Sequence, residues 1–479
     1  MSSEAKMRAL VTLVVVLSQF ACLPSLAQEL AGSVTTSAST LRQVNELTNE
    51  IIYHEIALQR INTHFRIEST RQPRLRPWRQ LLYSETNSNC TEAGLIGRMA
   101  LSYPFMSKDS GRPDQTLIQR SAAVSMIGQL VGAAGESFEL LVNMTNDWKA
   151  RKRGFDPKSY RKKVNNLTAK IDDLIREREE LIKSSQLSET DLEMANAEGA
   201  LLRDVRDLTC LQYSQYHSSA KRLRFFQNAA YLISINKNLV GAASNVLNIQ
   251  ASRLRDSKIS GSASLLNLIA GVLVTATPVF GRVSGNLAGL VDRRIVSKDF
   301  ARVQARESAA FARDRLQLEE LLSKGGYSQA AGQPEQLNRI GIYSRQEELL
   351  LAQRANISRE RKQARNTTIE NVAFGTVVGT SRMTAGILGM VGAWRYGNVP
   401  WIGSRFTAAG STVYAAGTAL NSLETARVRF SQAWSAHKEA QKGILPRQVL
   451  EARLATLDAM EKSLGSLGMT AAKPGNLYQ

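Results

Sequence analysis

The sequence predicts an all-α protein, an elongated antiparallel helical bundle with coiled-coil-like seams and Gly/Ala-rich helical hairpins, and three observations carry that expectation. No proline lies between Pro157 and Pro278, or between Pro334 and Pro400; since an interior proline breaks or kinks a helix, both intervals suit long helices. Apolar residues recur at alternating steps of three and four in several highly charged stretches. No stretch of comparable length alternates with the period of two that a strand needs.

The elements follow in chain order. Lys6 and Arg8 precede the apolar run Ala9–Leu17, and Ser25-Leu26-Ala27 offers small residues where a signal peptidase reads. Residues 1–27 therefore read as a cleaved export signal, with a mature chain from Gln28. Gln19-Phe20-Ala21 before Cys22 lacks the leucine of a lipobox, so lipidation is not expected. Residues 28–66 read as an amphipathic helix whose seam is Val44, Leu47, Ile51, His54, Leu58, Ile61 and Phe65. His54-Glu55 begins an HExxH-like string, but position 58 is leucine, so the second zinc ligand is missing and His54 reads as a packed seam residue.

Pro73, Pro77, Pro104 and Pro113 crowd the next interval, and residues 67–118 read as a loop-rich basic segment. Its stretch Arg71-Gln-Pro-Arg74-Leu-Arg76-Pro-Trp78-Arg79 fits a fixed connection whose arginines pair with acidic helices, or a surface for phosphates or sugar acids. Residues 119–325 read as a helical bundle with a Gly/Ala-rich hairpin. A seam there runs Val164, Leu167, Ile171, Leu174 and Leu181, with Arg178 where an apolar residue is expected. Residues 326–335 read as a Gly/Gln linker and 336–470 as a second helical region with its own Gly/Ala-rich hairpin. That region ends on a seam of Leu450, Leu457 and Leu464 with Leu454, Met460 and Leu467; residues 471–479 read as a tail.

The formal charge of +19 falls to +18 when the signal leaves with Lys6, Arg8 and Glu4. Such a charge favours anionic lipid, lipopolysaccharide or an acidic envelope protein; nucleic acid is disfavoured, because an exported chain seldom meets it and no recognition module is visible. With 43% hydrophobic and 22% charged residues the composition is globular and unlike that of a multispan transporter. Cys90 and Cys210 remain after cleavage, and in an oxidising compartment they are expected to pair, restricting the unfolded chain by about 4–5 kcal/mol in the chain-entropy model.

Glycines recur at four-residue spacing at Gly281, Gly285 and Gly289, at Gly375 and Gly379, and at Gly128 and Gly132. Each pattern bares one helix face to a close neighbour, in a membrane or in a tightly packed soluble bundle, where an interior glycine otherwise costs about 1 kcal/mol relative to alanine. Residues 259–281 carry no charge and are long enough to cross a bilayer, although serine, asparagine and threonine dilute them. Trp148 runs into Arg151, Lys152 and Arg153, then Arg161, Lys162 and Lys163, a cluster suited to an anionic surface. Glu136, Glu139 and Arg382 oppose insertion unless they face a pore or a partner.

This mixture resembles, in composition and without a shared motif, α-helical pore-forming toxins, which fold as soluble bundles and release apolar hairpins into membranes. No nucleophile elbow, phosphate loop or metal-spaced histidine pair is present among His54, His64, His217 and His437. No catalytic, cofactor-binding or metal-binding residue is assigned. The expectation is a non-enzymatic, exported helical protein of the bacterial cell envelope, periplasmic or secreted. It binds an envelope protein, an anionic lipid or lipopolysaccharide surface, or its own copies. The alternative is a membrane-active protein that inserts its Gly-rich apolar hairpins, and an enzyme comes third.

Overall fold

The computed structural model describes residues 23–70, 76–108, 114–154, 156–185, 187–299, 308–323 and 333–465. All regular structure among them is helical. In chain order the helices are α1 (Leu23–Thr70), α2 (Arg76–Ser102), α3 (Gln115–Lys152), α4 (Pro157–Ser184), α5 (Glu189–Leu254), α6 (Ser257–Asp299), α7 (Ser308–Ser323), α8 (Gln333–Met390), α9 (Pro400–Gln441) and α10 (Pro446–Gly465). Of the expected export signal only Leu23–Ala27 is described, as the start of α1; the tail 471–479 and most of the 326–335 linker lie outside the described residues.

Local chemistry sets the ends. Asp114 and Asp156 cap α3 and α4, their side chains accepting from Thr116 N at 2.8 Å and Lys158 N at 3.2 Å. Ser188 caps α5, accepting from Asp191 N at 3.2 Å while its hydroxyl donates to Asp191 Oδ2 at 2.6 Å. Gly154 and Gly443 take φ of +70° and +68° just past α3 and α9, a conformation that suits glycine at a helix end. The segment expected to be loop-rich instead holds the 27-residue α2. Pro77 sits in its first turn, where the missing N–H is harmless, and Pro104 lies beyond its end, so these prolines bracket the helix.

Contacts sort the helices into two halves that do not follow chain order. The first joins α1, α4, α7, α10, the N-terminal half of α5 and the start of α8. Its core is aliphatic and aromatic, with Ile51, Leu58, Phe65, Ile171, Leu201, Val205 and Leu457 among its buried members. The expected seams lie in it: Val44, Ile51, Leu58, Ile61 and Phe65 are buried on α1, Val164, Leu167, Ile171 and Leu174 on α4, and Leu450, Leu457 and Leu464 on α10. Arg178, the anomaly in the α4 seam, is 1% exposed and ties the half together. Its Nε donates to Thr48 Oγ1 at 2.7 Å, its Nη1 to Ala195 O at 3.0 Å, and its Nη2 meets Glu198 Oε2 at 3.3 Å. Glu198 also takes Arg339 Nε at 3.5 Å and Tyr343 OH at 3.2 Å, so one carboxylate of α5 holds α4 and α8.

The second half is a closed ring of six helical segments in the order α2, α3, α5, α6, α8, α9 and back to α2. Three hairpins, α2–α3, α5–α6 and α8–α9, turn at the same end, and each helix runs antiparallel to both neighbours. Gln119 opposite Ser252 and Asn143 opposite Asn228 fix the α3–α5 pair; Tyr103 opposite Thr412 and Gln80 opposite Arg429 fix α2–α9. Helices α5 and α8 pass through both halves, so the division is lateral and cuts across the expected 119–325 and 336–470 regions.

The expected disulfide is absent: both cysteines are free. Cys90 lies on α2 in the ring, one turn from Asn87, which bonds Asn238 of α5. Cys210 is on the same α5, twenty-eight residues before Asn238, or about 42 Å at 1.5 Å per residue. A disulfide needs Cα atoms within about 7 Å. Burial pushes the Cys210 thiol up to about 12, despite a contact with Thr168 Oγ1 at 3.5 Å.

Candidate membrane interface

The ring is built with small and polar residues inside and large apolar residues outside. On α3 the outward residues are Val124, Ile127, Leu130, Phe138, Leu141 and Met144, all exposed, with Leu141 at 60%. The inward ones are Ser121, Ser125, Gly128, Gln129, Gly132, Gly135 and Glu139, all buried. Helix α5 repeats the arrangement, with Leu232, Leu239 and Val246 outside and Ser234, Asn238, Gly241, Ser244 and Asn245 inside. Helix α6 exposes Leu265, Ile269 and Val272 and buries Gly261, Ala263, Ala270 and Gly271. Among the described ring residues the only buried apolar side chains larger than alanine are Leu95, Tyr231 and Tyr414.

Close contact follows from the small residues. A Cβ at Gly379 would meet Gly271 O at 2.9 Å and Thr275 N at 2.8 Å, and one at Gly386 would meet Leu268 N at 2.7 Å, so the α6 and α8 backbones touch. Gly375 clears the ring of Pro278, whose Cγ would be 3.3 Å away. Gly128 and Gly132 admit Cys90 and Asn87 of α2. The Gly281, Gly285 and Gly289 stripe faces α5 with diminishing closeness: Phe226 Cε2 at 2.9 Å, Arg222 O at 3.2 Å and Arg222 Cδ at 3.5 Å from the respective Cβ positions.

Hydrogen bonds cross the interior at every level. Arg76 and Gln80 of α2 donate to Tyr231 OH of α5 at 2.6 and 2.5 Å. Asn87 donates to Asn238 Oδ1 at 3.3 Å, Gln129 to Thr91 Oγ1 at 3.3 Å and Arg98 to Asn245 Oδ1 at 2.7 Å. The charges that oppose insertion turn inward. Glu139 is 1% exposed and meets Arg79 Nε at 2.9 Å and Arg76 Nε at 3.6 Å. Glu136 accepts from Ser234 Oγ at 3.1 Å, and Arg382, 3% exposed, donates to Asn267 Oδ1 at 3.3 Å. Glu92 is a carboxylate left half-buried within the α2 part of the band. At the hairpin end all six segments line a cavity of about 330 Å³.

The edges of the apolar surface carry aromatic and basic residues. Four of the five tryptophans flank it, Trp394 and Trp401 at the hairpin end and Trp78 and Trp148 toward the other, while Trp434 lies ten residues past Glu424 on α9. Lys152 Nζ lies 4.0 Å from the Trp148 ring centroid, and Arg405 covers Trp401 at 4.8 Å. Arg151, Lys152, Arg153 and Lys162 are exposed, and Arg161 and Lys163 half-buried, where α3 leaves the ring for α4. On α9 eighteen uncharged residues separate Arg405 from Glu424, about 27 Å against a hydrocarbon core of about 30 Å; on α2, α3, α5 and α8 the band is interrupted by Glu92, Arg98, Glu136, Glu139, Lys237 and Arg382. By length and hydropathy alone, Ser257–Val291 is the one segment among the described residues that could span a bilayer unaided.

Of the basic stretch 71–79, residues 71–75 lie outside the described residues; Arg76 and Arg79 bind Glu139, and Trp78 is exposed. Burial and nearby Lys170 depress His54, which packs in the α1 seam 3.6 Å from Glu50 Oε1. Among the described residues no three His, Cys, Asp or Glu side chains are grouped as a metal site needs. Sequence reasoning missed the partner side of the glycine contacts, Gly271 and Gly386, and the interior ladder of Asn87, Asn238, Gln129 and Arg98. The signal for both is a helical period of serine, glycine and asparagine opposite the apolar period. No family model, curated protein or solved structure matches the chain.

Proposed function

We propose that this chain is a membrane-inserted helical protein of the bacterial cell envelope, its six-helix ring set in the bilayer and its charged half standing in water on one side. The observation that carries the reading is the inverted dress of the ring. Burial of apolar surface is the main force that closes a bundle in water, and among its described residues the only apolar side chains larger than alanine that this ring fully buries are Leu95, Tyr231 and Tyr414. In water it also leaves the outward leucines, isoleucines and valines of α3, α5 and α6 exposed in neighbouring stripes, a girdle of the kind that marks an interaction or membrane surface. In lipid the same girdle is solvated, and association depends on small-residue packing and interhelical hydrogen bonds, which the interior supplies. Tryptophans and cations at the two edges match the headgroup zones of a bilayer.

The polar interior gives the ring a pore-like axis, open as a vestibule at the hairpin end and filled below it by Gln129, Asn87, Asn238 and the Arg79–Glu139 pair. Passage of a solute requires these side chains to move, so the conformation described is a closed one. The Arg151–Arg153 and Arg161–Lys163 cluster contacts anionic headgroups in this reading. The export signal brings the chain to the envelope, and no chemical step is ascribed to any residue.

Liposome flotation tests the proposal. The full-length protein is expected to float with vesicles containing phosphatidylglycerol and to stay with them through high-salt and carbonate washes. Release by salt alone would reduce the contact to surface electrostatics, and failure to float would return the ring to water.

A further inference from the structure

We infer, on the membrane-inserted reading of the ring, that two copies of this chain pair side by side through α9, along an exposed stripe that begins in the bilayer and ends in water. Val413, Ala416, Leu420, Leu423, Phe430 and Trp434, with Arg427 among them, follow the steps of three and four that a helix–helix seam uses. All are exposed, and the largest are the most so: Leu423 at 70%, Phe430 at 67% and Trp434 at 63%.

Lipid accounts for only the first part of this stripe. Glu424 ends the uncharged stretch of α9, and Phe430 and Trp434 lie six and ten residues beyond it, about 9 and 15 Å along the helix. The headgroup layer is about 5–8 Å deep on each side of the hydrocarbon, so both rings stand past it in water. There residues 430–438 are exposed on every face, whereas within the ring the inner face of α9 is buried against α2 and α8. An unsupported helical stretch of that length is marginal in water, and neighbouring exposed aromatic rings mark a contact surface.

The occupant must follow α9 from hydrocarbon into water, keep a helical period and present apolar side chains at both levels. The α9 of a second copy does all three. Copies inserted in the same orientation are related by a two-fold axis along the bilayer normal, which sets their α9 helices parallel and each stripe residue opposite its own counterpart. Charge does not oppose the pairing, because Arg427 is held by Glu424 of its own helix at 2.6 and 2.7 Å. Ala416, Ala426 and Ala433, on or beside the stripe, leave room for close approach.

Cysteine cross-linking reads the two-fold directly. The full-length protein carrying Phe430→Cys or Trp434→Cys, reconstituted in vesicles containing phosphatidylglycerol and oxidised with copper phenanthroline, is expected to run as a dimer that reverts on reduction. Gln432→Cys, exposed on the opposite face of the helix, and the wild type with its native cysteines should remain single chains. Cross-linking at neither stripe position, or equally at position 432, would overturn the pairing and leave the stripe to another protein or to lipid. Flotation of the wild type is read separately: if it fails, the membrane reading falls, and the same cross-linking in detergent still decides whether α9 pairs.

Discussion

The two halves of this protein share two helices and obey opposite rules. Where α5 runs through the charged half it buries Met194, Leu201, Leu202, Val205 and Leu208; some eight turns later, in the ring, it buries Ser234, Asn238, Ser244 and Asn245 and turns Leu232, Leu239 and Val246 outward. The covalent helix is continuous, so the reversal comes from its neighbours. Beside α4 and α1 the neighbour is an aliphatic seam. Beside α3 and α6 it is a face of glycine, serine and alanine that only small or hydrogen-bonding residues can approach. A helix is thus told which side is inside by the size and polarity of what it meets, and a core of amides and guanidiniums is closed by hydrogen bonds that gain strength away from water.

Several substitutions would break or sharpen this contrast. The largest effect belongs to the charged half: Glu198→Ala strands Arg178 and Arg339 in an aliphatic core and should cost about 3–5 kcal/mol, read by thermal unfolding of the full-length chain. Leu201→Ala in the same core should cost about 2–5 kcal/mol, whereas Leu141→Ala on the ring's outer face should change stability in detergent by no more than about 0.5 kcal/mol. Equal losses would erase the distinction between the halves. Leu130→Arg puts a charge in the outward band and should oppose bilayer insertion by about 2.5–3.5 kcal/mol, visible as reduced carbonate-resistant flotation.

Smaller still is the glycine comparison. Gly379→Leu drives a side chain into the α6 backbone and should cost about 1–3 kcal/mol, while Gly289→Leu, with only ordinary contact in front of it, should cost less. The smallest effect is pH-dependent and confined to the charged half. Burial raises the Glu55 carboxyl well above its ordinary 4.5, against smaller opposing effects of Arg206 and Gln346. The folded state therefore holds this proton more tightly than the unfolded chain. Its contribution is fully present below about 4.5 and is lost as pH rises through the elevated folded value. Glu55→Gln should accordingly be more stable than the wild type at high pH, with the gap closing on acidification; a gap that widens on acidification would reverse the sign.

The seams of α1, α4 and α10 were legible because their residues obey the soluble rule, with apolar positions at heptad spacing and charges elsewhere. The anomaly at Arg178 was visible, but its partner Glu198 lies on another helix, and no periodicity reports a tertiary ion pair. The ring was legible only in part. Glycine spacing at 128/132 and 375/379 marks close contacts, whereas 281/285/289 marks a graded one, since Gly289 faces a flexible arginine stem. The apolar stripe Val124–Ile127–Leu130 looks the same whether it faces a core or lipid, and the sequence alone does not say which. The proline-rich interval misled for a related reason: Pro77 and Pro104 mark the ends of α2 as well as they would mark a loop. The Cys90–Cys210 pairing failed because a count of two cysteines carries no distance.

The central claim, that the outer face of the ring meets lipid, is tested most directly by intrinsic fluorescence, because Trp78, Trp148, Trp394 and Trp401 stand at the edges of the apolar band. In vesicles whose acyl chains are brominated either near the headgroup end or near the chain end, the account predicts quenching by both, stronger for bromine near the headgroup. Tryptophan emission that neither lipid quenches would contradict it.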